Sequence, residues 1–498
     1  MMHHAQIFYA FTATSIRGAK MKFKKNLLLM GTAFSVCSIS LGSAASETTP
    51  AAAPAPVSEG TEKQSAPRTV LHFTLLDAPY NFRHGYKSPS MAESLDLSRS
   101  WYSAVHYGLE HILPDEDTRL KRWLRFSLLL ATDYSLSTLP LSTAWTHEEW
   151  HRAVMTHRGV PSHNTINDFK PFGEVYSVNG QSDEDHIRLK SLYPKDQLRL
   201  SIAGNESERE FIQSLKKDHF YRNLKSSNNL PLMWLIQLGS SGYIQSIVDG
   251  DLDKTIVEIE KREGNNIRAR DFVGPDYSGW VRDLFRPNEK YEERGQHPSG
   301  VGIKRYTAFA DLSKEEKDYL KKQNVLHYLN FFDPELFGFD SFSMTSPATG
   351  RRLGLNASLA HYFAPFGYAL KLNLFMKTIE KQTPFGTQGL FFAWQQNINK
   401  ERSLPQIEME HRPLPLSDTP FGLGARVMLW MQPKDLDFNA TKSDFGGLVA
   451  AKLIHNAAQG WQPWIEVSGK TKGWVAGEVD LGSTYGLRAG LDVELTSE

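Results

Sequence analysis

The residues best suited to chemistry are His147-Glu148-Glu149-Trp150-His151, an HExxH sequence. On a helix, residues four apart sit nearly above one another, so both imidazoles can meet one ion. Zinc accepts such nitrogen ligands at about 2.0–2.1 Å. Glu148 is one step round from His147, so its carboxylate points beside the ion rather than at it. From there it can take a proton from a metal-bound water and pass it to a leaving amine. The spacing thus predicts a Zn2+ site with His147 and His151 as ligands and Glu148 as general base. The competing explanation is a helix with two surface histidines, because the pattern also arises by chance.

A third ligand is required, and three candidates compete. His157 follows His151 by six residues, as the third histidine does in the metzincin pattern HExxHxxGxxH. A turn is needed between them, because ten helical residues span about 15 Å. The glycine position of that pattern holds Val154, which is poor at such a turn. His157 reads better as a helix C-terminal residue favoured by the dipole. The second candidate is Glu206, in Gly204-Asn205-Glu206-Ser207-Glu208-Arg209-Glu210. Here the chain resembles the gluzincin group of HExxH zinc metallopeptidases, the zincins. That resemblance implies Glu206 as the third ligand, on a helix after the HExxH helix. It also implies Glu210 as the acid that orients a metal-bound histidine, with Glu in place of the usual Asp. It covers only the HExxH helix and residues 204–210. The third candidate, Asp183-Glu184-Asp185-His186, reads as a solvated turn. Tyr243, His186 and Tyr176 each offer a donor to a developing oxyanion, and sequence does not choose among them.

The elements that must position these groups are partly legible. Thr143 or Thr146 can cap the HExxH helix, Thr146 with Glu149 fits a capping box, and Gly159 with Pro161 marks its stop. Asp117-Thr118 can start a helix that Pro140 interrupts. That helix and the apolar stretch from Leu230 read as buried core helices, being too interrupted for spanning segments. Residues 251–325 look like a charged, partly helical, solvated surface.

Near residue 350 the period changes to two. Tyr368, Leu370, Leu372, Leu374 and Met376 alternate with Ala369, Lys371, Asn373 and Phe375, and similar runs surround Leu423–Met431 and Leu487–Leu495. Strands with one apolar and one more polar face suit a small transmembrane barrel. The alternative is a soluble sheet resting its apolar face on the helical region.

The first residues suggest export. From Met21 a basic segment (Lys22, Lys24, Lys25), an apolar run (Leu27–Leu41) and small residues (Ser43, Ala44, Ala45) read as a bacterial secretory leader. Cys37, the only cysteine, falls inside it, so the exported chain has no disulfide framework and no thiolate ligand. The formal net charge is zero, which gives no electrostatic case for nucleic acid.

The expected fold is α+β in two parts, a mainly helical zincin-like region followed by an antiparallel β-barrel or sheet of about eight strands. The expected segments are 1–45 (upstream extension and leader), 46–68 (Ala/Pro-rich linker), 69–345 (helical metal region) and 346–498 (antiparallel β region). The expected function is a zinc-dependent hydrolase, a peptidase acting on a peptide or envelope protein. Its expected location is the periplasm or outer membrane of a Gram-negative bacterium, with outer-membrane association. The rivals are a non-catalytic outer-membrane β-barrel or interaction protein, and a zinc hydrolase with a non-peptide envelope substrate.

Overall fold

The computed structural model describes residues 68–496 except 113–117, 138, 167–175, 223, 225, 348, 417–418 and 458–459. The leader and all of the linker but Arg68 lie outside the described residues. What remains is an α+β architecture in which a helix-rich region precedes a large antiparallel sheet.

Ten strands form that sheet: β1 (Arg68–Ala78), β4 (Phe342–Thr345), β5 (Arg352–Ala364), β6 (Gly367–Thr383), β7 (Gly386–Ile398), β8 (Ser403–Pro415), β9 (Phe421–Pro433), β10 (Ser443–His455), β11 (Trp461–Lys470) and β12 (Thr484–Thr496). Their order is β1-β12-β11-β10-β9-β8-β7-β6-β5-β4. Strands β6, β9 and β12 contain the alternating runs at 368–376, 423–431 and 487–495, whereas weaker alternation at 473–481 falls in the connection between β11 and β12. β1 comes from the start of the described chain and pairs with β12, so the sheet joins both ends of the sequence. A separate hairpin pairs β2 (His163–Ile166) with β3 (Tyr176–Asn179).

The period of two decides which way the side chains point. Leu372, Leu374, Met376, Leu423, Val427 and Leu429 face outward and are exposed, while Lys371, Asn373, Asn397, Glu408, Gln432 and Asp492 turn inward and are buried. The inward polar groups find partners in one another and in the helices. Lys371 Nζ donates to Glu408 at 2.8 Å, and Tyr362 Oη donates to Glu210 at 2.9 Å.

The expectation of a closed outer-membrane β-barrel is corrected here. The sheet is open: β1 and β4 are its two ends and do not pair with each other among the described residues. β4 is only four residues long, and helix packing occupies the other end, where the Ser100 hydroxyl donates to the His72 carbonyl and accepts its N–H. The outer-membrane association and the periplasmic or outer-membrane location rested on that closed barrel and on the leader. Both are withdrawn. No described helix is long and apolar enough to cross a membrane.

The helices are α1 (Tyr80–His84), α2 (Met91–Ile112), α3 (Arg119–Leu136), α4 (Thr143–His157), α5 (Asp183–Leu192), α6 (Pro194–Leu200), α7 (Ala203–Arg222), α8 (Ser226–Val248), α9 (Asp251–Glu263), α10 (Asp276–Phe285) and α11 (Lys314–His327). Two apolar clusters hold them around the site. Trp150, Ala153, Val154 and Met155 of α4 pack with Tyr80, Leu189, Leu200, Phe272 and Val273. Tyr243, Ile244 and Ile247 of α8 pack with Tyr277, Trp280 and Val281 of α10 and with Phe363 of β5. Each buried side chain of this size contributes about 1.5–3 kcal/mol.

Candidate metal centre

Helix α4 carries the HExxH residues. Its cap is Ser142, whose hydroxyl accepts the Trp145 N–H at 3.2 Å, rather than Thr143 or Thr146, which lie inside the helix. After His157 the chain leaves the helix through Arg158 and Gly159, the latter at φ 66°. Val154 is wholly buried in mid-helix, so no turn separates His151 from His157.

Helix α7 meets α4 at a glycine. A Cβ on Gly204 would stand 2.1 Å from His147 Nε2 and 2.2 Å from its Cδ2, so only glycine lets the two helices come this close. The neighbouring Leu200, at the end of α6, supplies a carbonyl to His151.

Each imidazole is fixed through Nδ1. His151 Nδ1 donates to the Leu200 carbonyl at 2.5 Å, and His147 Nδ1 lies 3.2 Å from Glu208 Oε1. The two Nε2 atoms share one neighbouring carboxylate. The third group there is Asp276, the first residue of α10. Its Oδ2 is 3.3 Å from His147 Nε2 and 3.7 Å from His151 Nε2. His147, His151 and Asp276 are buried, and they form a cluster able to hold a divalent metal such as Zn2+.

Three features fit that ion. The donor set of two nitrogens and one oxygen suits zinc. His151 Nε2 is buried with no hydrogen-bond partner, a costly state unless something accepts its lone pair. The outer nitrogens are engaged by a carbonyl and a carboxylate, as metal-bound imidazoles require.

The electrostatics agree. Burial opposes a charge on His147, but the hydrogen bonds to Asp276 and Glu208 and the nearby carboxylates outweigh it and raise its pKa well above the ordinary value. Without a metal, a proton on His147 supplies the cation that this acidic surround demands. His151 goes the other way: burial, aided by His147 and opposed by Asp276, lowers it to about 4 and keeps it neutral. Burial pushes Glu148 well above the usual carboxylate range, with Asp271 and Asp276 adding to it and His147 opposing. Burial also tends to raise Glu208, but its hydrogen bond to His147 and the charges of His147 and Arg209 bring it below the ordinary value, so it stays anionic.

The other candidates from sequence lie elsewhere. Glu206 is wholly buried in an ion pair with Arg199 at 2.6 Å, and it accepts from Trp474 Nε1 at 3.2 Å and the Gly477 N–H at 2.8 Å. Its carboxylate fastens α7 to the loop before β12, and the carboxylate that approaches both Nε2 atoms is that of Asp276. Glu210 accepts from Tyr362, so the acid beside His147 is Glu208, two residues earlier. His157 Nε2 lies 3.9 Å from Asp480, away from the cluster. Asp183-Glu184-Asp185-His186 opens α5 instead of forming a turn. Asp183 pairs with Arg305 at 3.1 Å, and His186 stacks on Tyr291 with ring centroids 5.1 Å apart. Among the oxyanion donors considered, Tyr243 is beside the centre, its oxygen accepting the Asp276 N–H at 3.0 Å.

Asp276 and Glu208 were the residues that sequence reasoning missed. The available signal for Asp276 was Gly274-Pro275-Asp276 ahead of Tyr277, Trp280, Val281 and Leu284, a helix start followed by an apolar face. For Glu208 the signal was an acid one helical turn after Gly204, the glycine that admits His147.

No protein-family model, no curated protein and no solved structure matches the chain.

Proposed function

We propose that this protein is a zinc-dependent hydrolase of amide bonds, a peptidase, with His147, His151 and Asp276 as metal ligands and Glu148 as general base. The observation that carries this reading is the approach of Asp276 Oδ2 to the Nε2 atoms of both HExxH histidines, with Glu148 half-buried beside them. When bound, zinc lowers the pKa of a water and polarises the carbonyl under attack.

The chain's own groups do the rest. Glu208 and the Leu200 carbonyl hold the two imidazoles in the tautomer that presents Nε2. Glu148 takes the proton of the attacking water as oxygen bonds to the carbonyl carbon. It then gives that proton to the departing nitrogen as the C–N bond breaks, yielding a carboxylic acid and an amine. A carboxylate whose pKa burial has raised is a stronger base toward the water and a ready donor to the departing nitrogen. Burial, with the charges of Asp276 and Glu148 adding to it, raises Tyr243 well above the ordinary phenol value, so it stays a neutral donor for a developing oxyanion.

The test compares wild type with Glu148→Gln on a quenched peptide library. Zinc content is expected to stay at one equivalent while hydrolysis falls about 10²–10⁴-fold. Unchanged hydrolysis in the variant removes Glu148 from the chemistry.

A further inference from the structure

A chain of buried polar side chains leads away from the metal centre and ends in the sheet. Glu208, which meets His147 through Oε1, accepts from Asn205 Nδ2 through Oε2 at 3.1 Å. The same amide nitrogen is 2.8 Å from Ser240 Oγ on α8. Ser240 Oγ is 2.9 Å from His327 Nε2, at the end of α11. His327 Nδ1 faces His361 Nδ1 of β5 at 3.3 Å, and His361 Nε2 meets Gln323 Oε1 at 2.9 Å. Ser240, His327, His361 and Gln323 are each at most 1% exposed, so no water competes for these bonds.

Two facing Nδ1 atoms can share one proton only. One ring therefore carries its hydrogen on Nδ1 and the other does not, so two neutral rings must be of opposite tautomer. Burial lowers both histidines, His361 to about 3, and the charge of Arg209 adds to it, so neutrality holds across the physiological range. Each member then passes one hydrogen bond along, and the orientation of the Glu208 carboxylate is tied to strand β5 some way off.

We propose that Ser240 and His327 are positioning residues of the metal centre: through Asn205 they fix Glu208, and through Glu208 they fix the His147 ring that binds zinc. This rests on the metal site proposed above. Neither residue touches the ion. The partners behind a metal-bound imidazole set its orientation and basicity, and their loss costs about 10–100-fold in metal affinity.

The experiment is zinc affinity, measured by competition with a chromophoric chelator, in wild type, Ser240→Ala and His327→Gln. Each variant is expected to bind zinc about tenfold more weakly at an unchanged far-UV spectrum. Folded variants that bind within twofold of wild type overturn the proposal. A purely structural role would lower the melting temperature and leave the affinity alone. A second measurement needs no variant: ¹⁵N-histidine NMR of the wild-type protein. His327 and His361 are expected as neutral rings of opposite tautomer whose resonances move when zinc is added. Equal tautomers, or rings that ignore zinc, overturn the proposal. A wild type that binds no zinc defeats the metal site itself, whereas a zinc-binding wild type with indifferent variants defeats only the positioning role.

Discussion

His72 and His147 are both buried imidazoles held between two carboxylates. His72 stands 2.9 Å from Asp492 and 3.0 Å from Asp218, and His147 stands 3.2 Å from Glu208 and 3.3 Å from Asp276. The difference lies in what completes the charge. At His72, Arg99 pairs with Asp218 at 3.1 Å and Arg222 with Asp492 at 2.5 Å, so two guanidiniums answer two carboxylates. At His147, the ion pairs of Asp276 among the described residues are with histidines alone, and Glu148 and Asp271 add further acid nearby. One centre is a closed ion network that ties β1, α7 and β12 together. The other leaves negative charge and an unpartnered imidazole nitrogen for a cation. A histidine flanked by acids is thus not enough to define a metal site; whether a guanidinium pairs directly with each of those acids decides.

The comparison breaks most sharply at Gly204. In Gly204→Ala the new methyl would lie within 2.5 Å of three His147 ring atoms, so the ring must leave its place. Zinc affinity should fall at least about 100-fold, read by chelator competition, with the His72 network untouched. Retained affinity would mean that His147 is not a ligand in this pose.

The next effect falls on the other centre. Arg222→Met leaves Asp492 buried without its guanidinium partner, at a cost of about 3–5 kcal/mol in chemical denaturation. Zinc stoichiometry should stay at that of wild type. A loss of zinc in this variant would show that the two centres are coupled.

The smallest effect is a pH dependence of opposite sign at the two centres. Burial pushes Asp271 up to about 6, with Asp276 adding to it and the Gly274 and Val178 N–H groups opposing. Its stabilising contribution is full below its ordinary value of 3.8 and is lost as pH rises through about 6. Asp218 is the reverse: burial would raise it, but His72 and Arg99 hold it below the usual range, so its contribution is present above 3.8 and lost as pH falls. In metal-free protein, Asp271→Asn should therefore gain on the order of 1–3 kcal/mol relative to wild type between pH 4 and 8. Asp218→Asn should be destabilised across that range. Denaturation curves with a chelator present check both, and matching signs would refute the contrast.

Much of the molecule was legible from sequence because it depends on short spacings. The HExxH helix and strands β5 to β12 follow from periods of 3.6 and 2. Glu206 was expected near the histidines because the acidic segment 204–210 offers three glutamates on adjoining faces of one helix, and it pairs with Arg199 instead. The partners Arg199, Trp474 and Gly477, distant in sequence, hold Glu206 in its own ion pair, while Glu208 meets His147. Asp276 was missed because it lies 125 residues beyond His151, in a segment whose charge suggested solvent, while the apolar face of α10 draws it inward. The barrel failed for a related reason. Alternation fixes which side of each strand is apolar, but whether the end strands meet depends on the length of β4 and on the pairing of β1, neither of which has a periodic signature.

The most direct test of the metal site is elemental analysis of purified protein, comparing wild type with Asp276→Ala and Asp492→Ala. One equivalent of zinc is expected in wild type and in Asp492→Ala, and none in Asp276→Ala. A wild type without stoichiometric metal, or an Asp276→Ala protein that keeps its zinc, would contradict the assignment of His147, His151 and Asp276 as the metal centre.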